Sequence, residues 1–139
     1  MRERNPEWSG TRLNMSTIDA AYTVLQSDSS KVFMLDGGGY TITLPVAADL
    51  QEGWYCKFVV RPANPTGDIV ITAGSAIVDL VMKDPGGDAS NSTAGTAKTT
   101  VIFHTECTQG DFVNIFTDGN TYYAEAMSGV NDAIDHTQQ

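Results

Sequence analysis

The sequence predicts an all-β fold: a single-domain β-sandwich, jelly-roll-like, or a small barrel, with about nine short strands and a flexible N-terminal arm. A chain of 139 residues and 14.9 kDa fits one domain. Apolar and polar residues alternate with a period of two through most of the chain, which is the pattern of half-buried strands. Charged residues make up 18%, below the roughly 25% of ordinary soluble domains, and thirteen glycines argue against a helical bundle.

Turn-forming residues separate the predicted strands and set the expected domain limits. We expect an arm over residues 1–16, the sandwich over 17–127 and a polar C-terminal tail over 128–139. A short helical turn is predicted within 46–52, and Asp118-Gly119-Asn120 is the strongest hairpin signal. The predicted strands span 21–26, 31–35, 40–44, 54–61, 68–72, 76–82, 98–104, 111–116 and 121–126.

Three glycine-containing segments connect these strands. Ala73-Gly74-Ser75 is expected to turn the chain. Gly37-Gly38-Gly39 leads into a strand and lacks a following Lys and helix, so it is not a phosphate-binding loop. Residues 83–97 contain no large apolar residue and form a long loop that is either functional or mobile. Oxygen ligands in that loop could bind Ca²⁺, although Asp84, Asp88 and Asn91 do not match the EF-hand spacing.

The predicted core follows from the alternation along each strand. In 54–61, an apolar face alternates with a mixed face that carries Tyr55, Lys57 and Val59. Packing two sheets face to face hides the apolar faces from water. The large apolar side chains expected in the core are those of Trp54, Phe58, Ile69, Ile71, Phe103, Phe112 and Phe116.

Charge is unevenly distributed and excludes two classes of partner. The net charge of −9 and the pI near 4.3 argue against nucleic acid and against an anionic membrane. Arg2, Arg4 and Arg12 make the arm the most basic part of the chain, and Trp8 lies among them. Such an arm is either a solvated terminus or a segment that docks onto a partner or a neighbouring subunit. Residues 1–14 contain no apolar stretch, so we expect no secretory signal there.

Residues able to carry enzymatic chemistry are few, and we expect no catalytic residue, no metal and no cofactor. His104 and His136 could act as bases near neutral pH, but His104 ends a predicted strand, where a structural role is expected. His104 and Cys107 form half of a zinc site at best. Cys56 and Cys107 are interpreted as two reduced thiols, although a bridge would form if their strands were neighbours.

Three stretches carry a resemblance to a known class of proteins. Residues 40–60, YTITLPVAADLQEGWYCKFVV, read as a strand, a Leu-Pro link and a second strand after Gly-Trp. Residues 68–72 read DIVIT, and residues 111–126 read DFVNIFTDGNTYYAEA. In this order they resemble small β-rich structural proteins of tailed-bacteriophage virions, which include capsid decoration proteins and repeat-like domains of tail fibres. The resemblance implies a β-sandwich or jelly-roll-like homotrimer on the virion surface and brings no catalytic motif.

Within that resemblance, the chain is more similar to a capsid decoration (cement) protein than to a fibre, because it has no heptads and no shaft. Such a protein binds the assembled head shell and bridges neighbouring capsomers, so the implied partner is the major capsid protein, at a three-fold position. We expect the shell contacts at Arg2, Arg4, Trp8 and Arg12. The alternative is a receptor- or glycan-binding fibre or tip domain that uses the loop 83–97 and the tyrosines Tyr22, Tyr40, Tyr55, Tyr122 and Tyr123.

Overall fold

The computed structural model describes residues 12–83, 97–130 and 133–137, and it confirms the all-β prediction. Two short 3-10 helices, Gln26–Asp28 and Ala47–Asp49, accompany the strands. No helix in these ranges is long and apolar enough to cross a membrane. The strands are β1 Asn14–Ile18, β2 Tyr22–Thr23, β3 Lys31–Leu35, β4 Tyr40–Thr43, β5 Tyr55–Val60, β6 Ile69–Lys83, β7 Ala97–Phe103, β8 Phe112–Thr117, β9 Tyr122–Met127 and β10 Ile134–Thr137.

The strands form two layers that share the long strand β6. Layer A has the order β1-β3-β5-β8-β9 and ends on residues 77–83 of β6. Layer B contains β2, β4, residues 69–72 of β6, β7 and β10. The Tyr22 ring of layer B contacts the Phe33 ring of layer A, with centroids 5.6 Å apart. The described part of the chain is therefore an open sandwich, because its ten-stranded sheet does not close into a barrel.

Parallel pairing distinguishes this sandwich from an antiparallel jelly roll. From β1 to β6 the chain changes layer with every strand, so β1, β3 and β5 pair in parallel in layer A. Strands β2, β4 and β6 pair in parallel in layer B. The later strands add antiparallel ladders, including the β8–β9 hairpin predicted around Asp118-Gly119-Asn120. Gly119 has a positive φ of 90°, which the turn requires and which glycine adopts without strain.

The core lies between the inner faces of the two layers. The Phe33 and Phe58 rings stack there with centroids 5.3 Å apart. The Tyr122 hydroxyl donates a hydrogen bond to the Pro45 carbonyl, which links β9 to the end of β4. The largest fully buried side chains include Tyr122, Phe33, Phe58, Phe103, Leu35, Ile42, Ile69, Ile71, Ile77 and Ile115. Five of the seven predicted core residues are buried, namely Trp54, Phe58, Ile69, Ile71 and Phe103.

Three boundaries differ from the sequence-based expectation. Residues 73–75 do not turn the chain, because β6 continues through them with a register shift between Thr72 and Ile77 that carries the strand from layer B into layer A. Strand β1 begins at Asn14, within the predicted arm. Strand β10 lies within the predicted C-terminal tail, since pairing with β7 satisfies its backbone and buries Ala133 and Ile134.

Two glycines bring two connections into close contact. A side chain on Gly38 would place its Cβ 2.4 Å from the backbone of Gly67. The Thr66 amide donates to the Gly37 carbonyl, and the Gly39 amide donates to the Asp68 carbonyl. The glycine run therefore packs the β3–β4 connection against the β5–β6 connection, which agrees with the interpretation that it is not a phosphate loop.

A buried carboxylate ties the two layers together where β2 leads into β3. Asp28 accepts hydrogen bonds from the Tyr22 hydroxyl and the Leu25 amide, at 2.8 and 2.9 Å, and pairs with the Lys31 ammonium at 2.8 Å. Burial alone would raise the pKa of Asp28, but the bonds from Lys31, Leu25 and Tyr22 lower the pKa overall. The ionised carboxylate thus stabilises this corner.

Candidate partner-binding surface

The outer face of layer A is the surface opposite the core, and its strand register places its side chains in three rows. Aromatic residues form row 1, which contains Tyr55, Phe116 and Tyr123. Polar residues occupy three of the five positions of row 2, which contains Met15, Val32, Lys57, Asn114 and Glu125. Row 3 is mostly apolar and contains Thr17, Met34, Val59, Phe112 and Met127.

Large apolar side chains on these rows are open to solvent. Met15 is 53% exposed, Tyr55 51%, Met127 46% and Phe116 40%. Leu13, immediately before β1, is 70% exposed and extends the apolar surface to the edge of the layer. Scattered exposed hydrophobic residues are normal, whereas a contiguous apolar patch on one face is typical of an interaction site.

Phe112 and Phe116 correct the predicted core. Both lie on the outer face, while Val113, Ile115 and Thr117 of the same strand point inward and are buried. The alternation of β8 was predicted correctly, but its phase was wrong, because the bulkier residues were assigned to the interior. A shift of one residue in phase moves every side chain to the other face. Strand β8 therefore presents its largest side chains to a partner or to solvent.

Contacts within the outer face hold its side chains in defined positions. The Phe116 and Tyr123 rings stack with centroids 5.4 Å apart. The Lys57 ammonium lies 4.3 Å from the centroid of the Phe112 ring, and the Asn114 amide donates to the Glu125 carboxylate at 3.1 Å. Preorganised side chains lose less conformational entropy when a partner binds.

A shallow slot opens between two of the aromatic side chains. It has a volume of about 350 Å³ and is lined by Gly53, Tyr55, Cys56, Asn114, Ile115 and Phe116. Its walls are mainly apolar, so it fits an apolar side chain better than a charged ligand. Gly53, at the end of the predicted helical turn, has a positive φ of 89° and leaves the mouth of the slot without a side chain.

The outer face of layer B has a different composition. Its solvent-facing positions on β2 and β4 are threonines, namely Thr23, Thr41 and Thr43, and all three are exposed. The next strand contributes Val70 and Thr72, which are half-buried. Threonine suits an extended, solvated strand through its branched Cβ and its hydroxyl. This face therefore has no comparable cluster of large exposed apolar side chains among the described residues.

Of the four residues predicted to bind the shell, the structure describes Arg12, which lies at the edge of layer A. Arg12 is exposed, two residues before β1 begins. Arg2, Arg4 and Trp8 lie outside the described residues. The chain thus enters the fold beside Leu13 and Met15, at the margin of the outer face of layer A.

Within the described ranges, no group of three or more His, Cys, Asp or Glu side chains is placed to hold a metal ion. His104 Nδ1 lies 3.1 Å from an Asp68 oxygen, and Nε2 lies 3.9 Å from an Asp135 oxygen, so the ring joins the strands β6, β7 and β10 at one edge. This arrangement fits the structural role expected for His104. The side chain of His136 and the predicted Ca²⁺ ligands Asp84, Asp88 and Asn91 lie outside the described parts.

Both thiols are buried and free, which agrees with the interpretation of two reduced cysteines. Burial raises the pKa of the Cys56 thiol far above its ordinary value. Burial and the nearby Asp111 carboxylate raise the pKa of the Cys107 thiol to about 12. The Cys107 thiol donates to the Ala133 carbonyl at 3.1 Å. Both thiols are therefore protonated at neutral pH.

The tyrosines proposed for glycan binding are mostly not available. Tyr40 and Tyr122 are buried, and Tyr22 is half-buried against Phe33. Tyr55 is exposed, and Tyr123 covers one face of its ring with Phe116. The sequence analysis identified the mixed face of β5 but did not place it beside the outer residues of β8 and β9. The alternation of residues 111–126 carries the signal for this face, once Phe112 and Phe116 are assigned to the outside and Val113 and Ile115 to the core.

Comparisons with known proteins identify no relative. No protein-family model, no characterised protein and no solved structure matches this chain. The resemblance to virion structural proteins therefore remains a hypothesis based on the sequence.

Proposed function

We propose that this chain is a structural, protein-binding module without catalytic activity, and that it acts as a capsid decoration protein of a tailed-bacteriophage virion. In this role it binds the assembled head shell, bridges neighbouring capsomers and stabilises the particle. Its partner is the major capsid protein, and its location is the capsid surface. The resemblance implies a homotrimer at a three-fold position, which the mass of the isolated protein tests.

The observation that supports a binding role is the outer face of layer A. Tyr55, Phe116 and Met127 expose large apolar surfaces there, while the smaller Val113 and Ile115 fill the core behind them. Exposing aromatic side chains to water is unfavourable, and burial in an interface removes about 25 cal/mol of that cost per Å². Aromatic residues also dominate the energy of protein interfaces.

Binding to an assembled shell stabilises the shell by mass action. A protein that binds the assembled form and not the separated subunits lowers the free energy of the assembled form in proportion to RT ln(1 + [L]/Kd). The basic arm adds a second contact beside the outer face, because Arg12, Leu13 and Met15 lie at its margin. Two linked contacts raise the overall affinity above that of either contact alone.

Particles assembled with and without the protein test this proposal. We expect the protein at a fixed, high ratio to the major capsid protein by quantitative mass spectrometry, and we expect particles lacking it to open at lower temperature. A chain lacking residues 1–11 keeps β1 intact and serves as the variant for the arm. Only a few copies per particle, or equal stability of both particle types, would contradict the proposal.

The alternative is the receptor- or glycan-binding tip domain, which the exposed Tyr55 beside the slot favours. A sugar ring stacks on an open aromatic face. The stacked rings of Phe116 and Tyr123 each cover part of the other's face, whereas Tyr55 is exposed. Titration with host-surface saccharides, followed by tyrosine fluorescence, separates the two roles. Saturable binding that Tyr55→Ala abolishes would favour the tip domain over the decoration protein.

A further inference from the structure

The charged residues of the outer face of layer A are arranged so that the face is complementary to itself. Lys57 lies on β5 and Glu125 on β9, in the same row and on opposite sides of Asn114 of β8. A two-fold axis parallel to β8 and passing above Asn114 exchanges the β5 and β9 positions of two copies. Lys57 of one copy then faces the partner's Glu125, and Glu125 faces the partner's Lys57.

We propose that the outer face of layer A binds a second copy of this chain through that two-fold contact. The pairing rests on the proposed function only in so far as the outer face is a protein-binding surface, and a paired copy cannot use the same face to bind the shell. An axis perpendicular to β8 would instead place Lys57 against the partner's Lys57, which is repulsive. The charge pattern therefore selects one of the two simple two-fold arrangements, as an isologous interface requires.

The aromatic and apolar rows fit the same axis. Phe116 and Phe112 lie on β8, so they meet their own counterparts near the axis. Tyr55 and Val59 of β5 face the partner's Tyr123 and Met127 of β9. Every exposed apolar side chain of the β5, β8 and β9 columns thus meets another apolar side chain, and each charge meets an opposite charge.

The Lys57–Glu125 pairs can still form when the two packed sheets are rotated relative to each other. Two stacked sheets lie roughly 10 Å apart and rotate by about 30°. Lys57 and Glu125 lie one strand spacing from the axis, about 4.8 Å, so that rotation displaces each pair by roughly 2.5 Å. Both side chains are long and flexible enough to span this displacement.

Net charge also favours this face over the rest of the chain. The chain carries a net charge of −9, so two copies repel each other over most of their surfaces. On β1, β3, β5, β8 and β9 the three rows contain one cation, Lys57, and one anion, Glu125, whose charges cancel. The register adds one further cation position at the edge of row 3, Lys83 of β6 beside Met127. The outer face is therefore a surface where two acidic copies can approach with little repulsion.

The size of the face predicts a reversible contact. The strands that overlap about this axis are β3, β5, β8, β9 and β6. Five strands at about 4.8 Å, each with about 17 Å of its length in the three rows, give a flat footprint of roughly 400 Å² per copy. This is smaller than the roughly 800 Å² that each partner buries in a standard interface, although projecting side chains add to it. We therefore expect pairing that depends on concentration and not an obligate dimer.

Charge reversal at the two positions tests the pairing. Lys57→Glu and Glu125→Lys each place like charges opposite each other twice, so each variant alone should remain monomeric at concentrations where the unmodified chain forms dimers in sedimentation velocity. An equimolar mixture of the two variants restores both opposite-charge pairs and should form heterodimers. Glu106→Lys, an exposed change of the same size in charge as Glu125→Lys but outside the rows, should dimerise like the unmodified chain.

Each outcome has a defined meaning. Circular dichroism should show that both variants fold, because Lys57 and Glu125 lie outside the core. An unmodified chain that stays monomeric, variants that associate normally, a mixture that stays monomeric, or a trimer insensitive to both changes would overturn the pairing. Particle binding without self-association would contradict the pairing alone, and self-association without particle binding would contradict the decoration role alone.

Discussion

The two outer faces of the sandwich differ although the same alternation builds both layers. On layer B the alternation places threonines such as Thr41 and Thr43 toward solvent. On layer A it places Tyr55, Phe116 and Met127 there, all at least 40% exposed. Both layers bury apolar residues on their inner faces, so core formation does not explain the difference. The apolar outer face of layer A is the surface that our proposal assigns to protein binding.

The largest expected effect separates the two faces of strand β8 itself. Ile115→Ala should lower the free energy of unfolding by about 2–5 kcal/mol, because Ile115 is fully buried and its loss leaves a cavity. Phe116→Ala should lower it by less than about 1 kcal/mol in dilute protein, although the side chain removed is larger. Urea unfolding at low protein concentration measures both. A greater loss for Phe116→Ala than for Ile115→Ala would place β8 in the opposite phase.

This prediction also shows where sequence reasoning stops. The period of β8 and the DGN hairpin are local properties, so the sequence shows them. The phase of β8 is not local, because it depends on which side the other layer packs. Large side chains usually mark the core, and at Phe112 and Phe116 the opposite holds. The parallel pairing of β1 with β3, and β10 in the polar tail, also depend on contacts distant in sequence.

The next effect concerns the corner that joins the two layers. Asp28→Asn should lower the free energy of unfolding by about 1–3 kcal/mol at pH 7, because the half-buried Lys31 loses its counter-charge and the buried side chain at position 28 loses its ion pair. The folded-state pKa of Asp28 lies below its ordinary value of 3.8, so the carboxylate stabilises the fold above that value and loses its effect as pH falls through the folded pKa.

The difference in the free energy of unfolding between the unmodified chain and Asp28→Asn should therefore be largest near neutral pH. It should become smaller as the pH falls below 3.8. Thermal unfolding from pH 7 to pH 2.5 measures this. Asp49→Asn is a matched control at an exposed position. A difference that stays constant or widens toward acid would show that the ionised Asp28 does not hold the layers together.

A smaller effect is expected in the accessibility of the two outer faces. The native thiols are buried, and we expect neither to react with a thiol reagent at pH 8. Thr41→Cys and Met127→Cys place a reactive thiol on layer B and layer A respectively. Both introduced thiols should react quickly in dilute protein. As the protein concentration rises, the labelling rate should fall for Met127→Cys and stay unchanged for Thr41→Cys. Equal slowing of both would show that association does not use the outer face of layer A.

The smallest effect on stability is expected on the outer face of layer B. Thr43→Val should change the free energy of unfolding by no more than about 0.5 kcal/mol, since the side chain is exposed and keeps its branched Cβ. It should also leave association unchanged, because one added methyl group does not create an apolar patch. Sedimentation and urea unfolding check both values. Strong self-association of Thr43→Val would mean that the two faces differ less than their compositions indicate.

The most direct test adds the same charge to each face. Phe116→Asp places a carboxylate at the centre of row 1, and Thr43→Asp places one on the outer face of layer B. Both variants acquire the same net charge, and both positions are exposed, so both should fold. In sedimentation equilibrium we expect Phe116→Asp to lose self-association and Thr43→Asp to associate like the unmodified chain. Association that survives Phe116→Asp, or that Thr43→Asp abolishes, would contradict a docking role for the outer face of layer A.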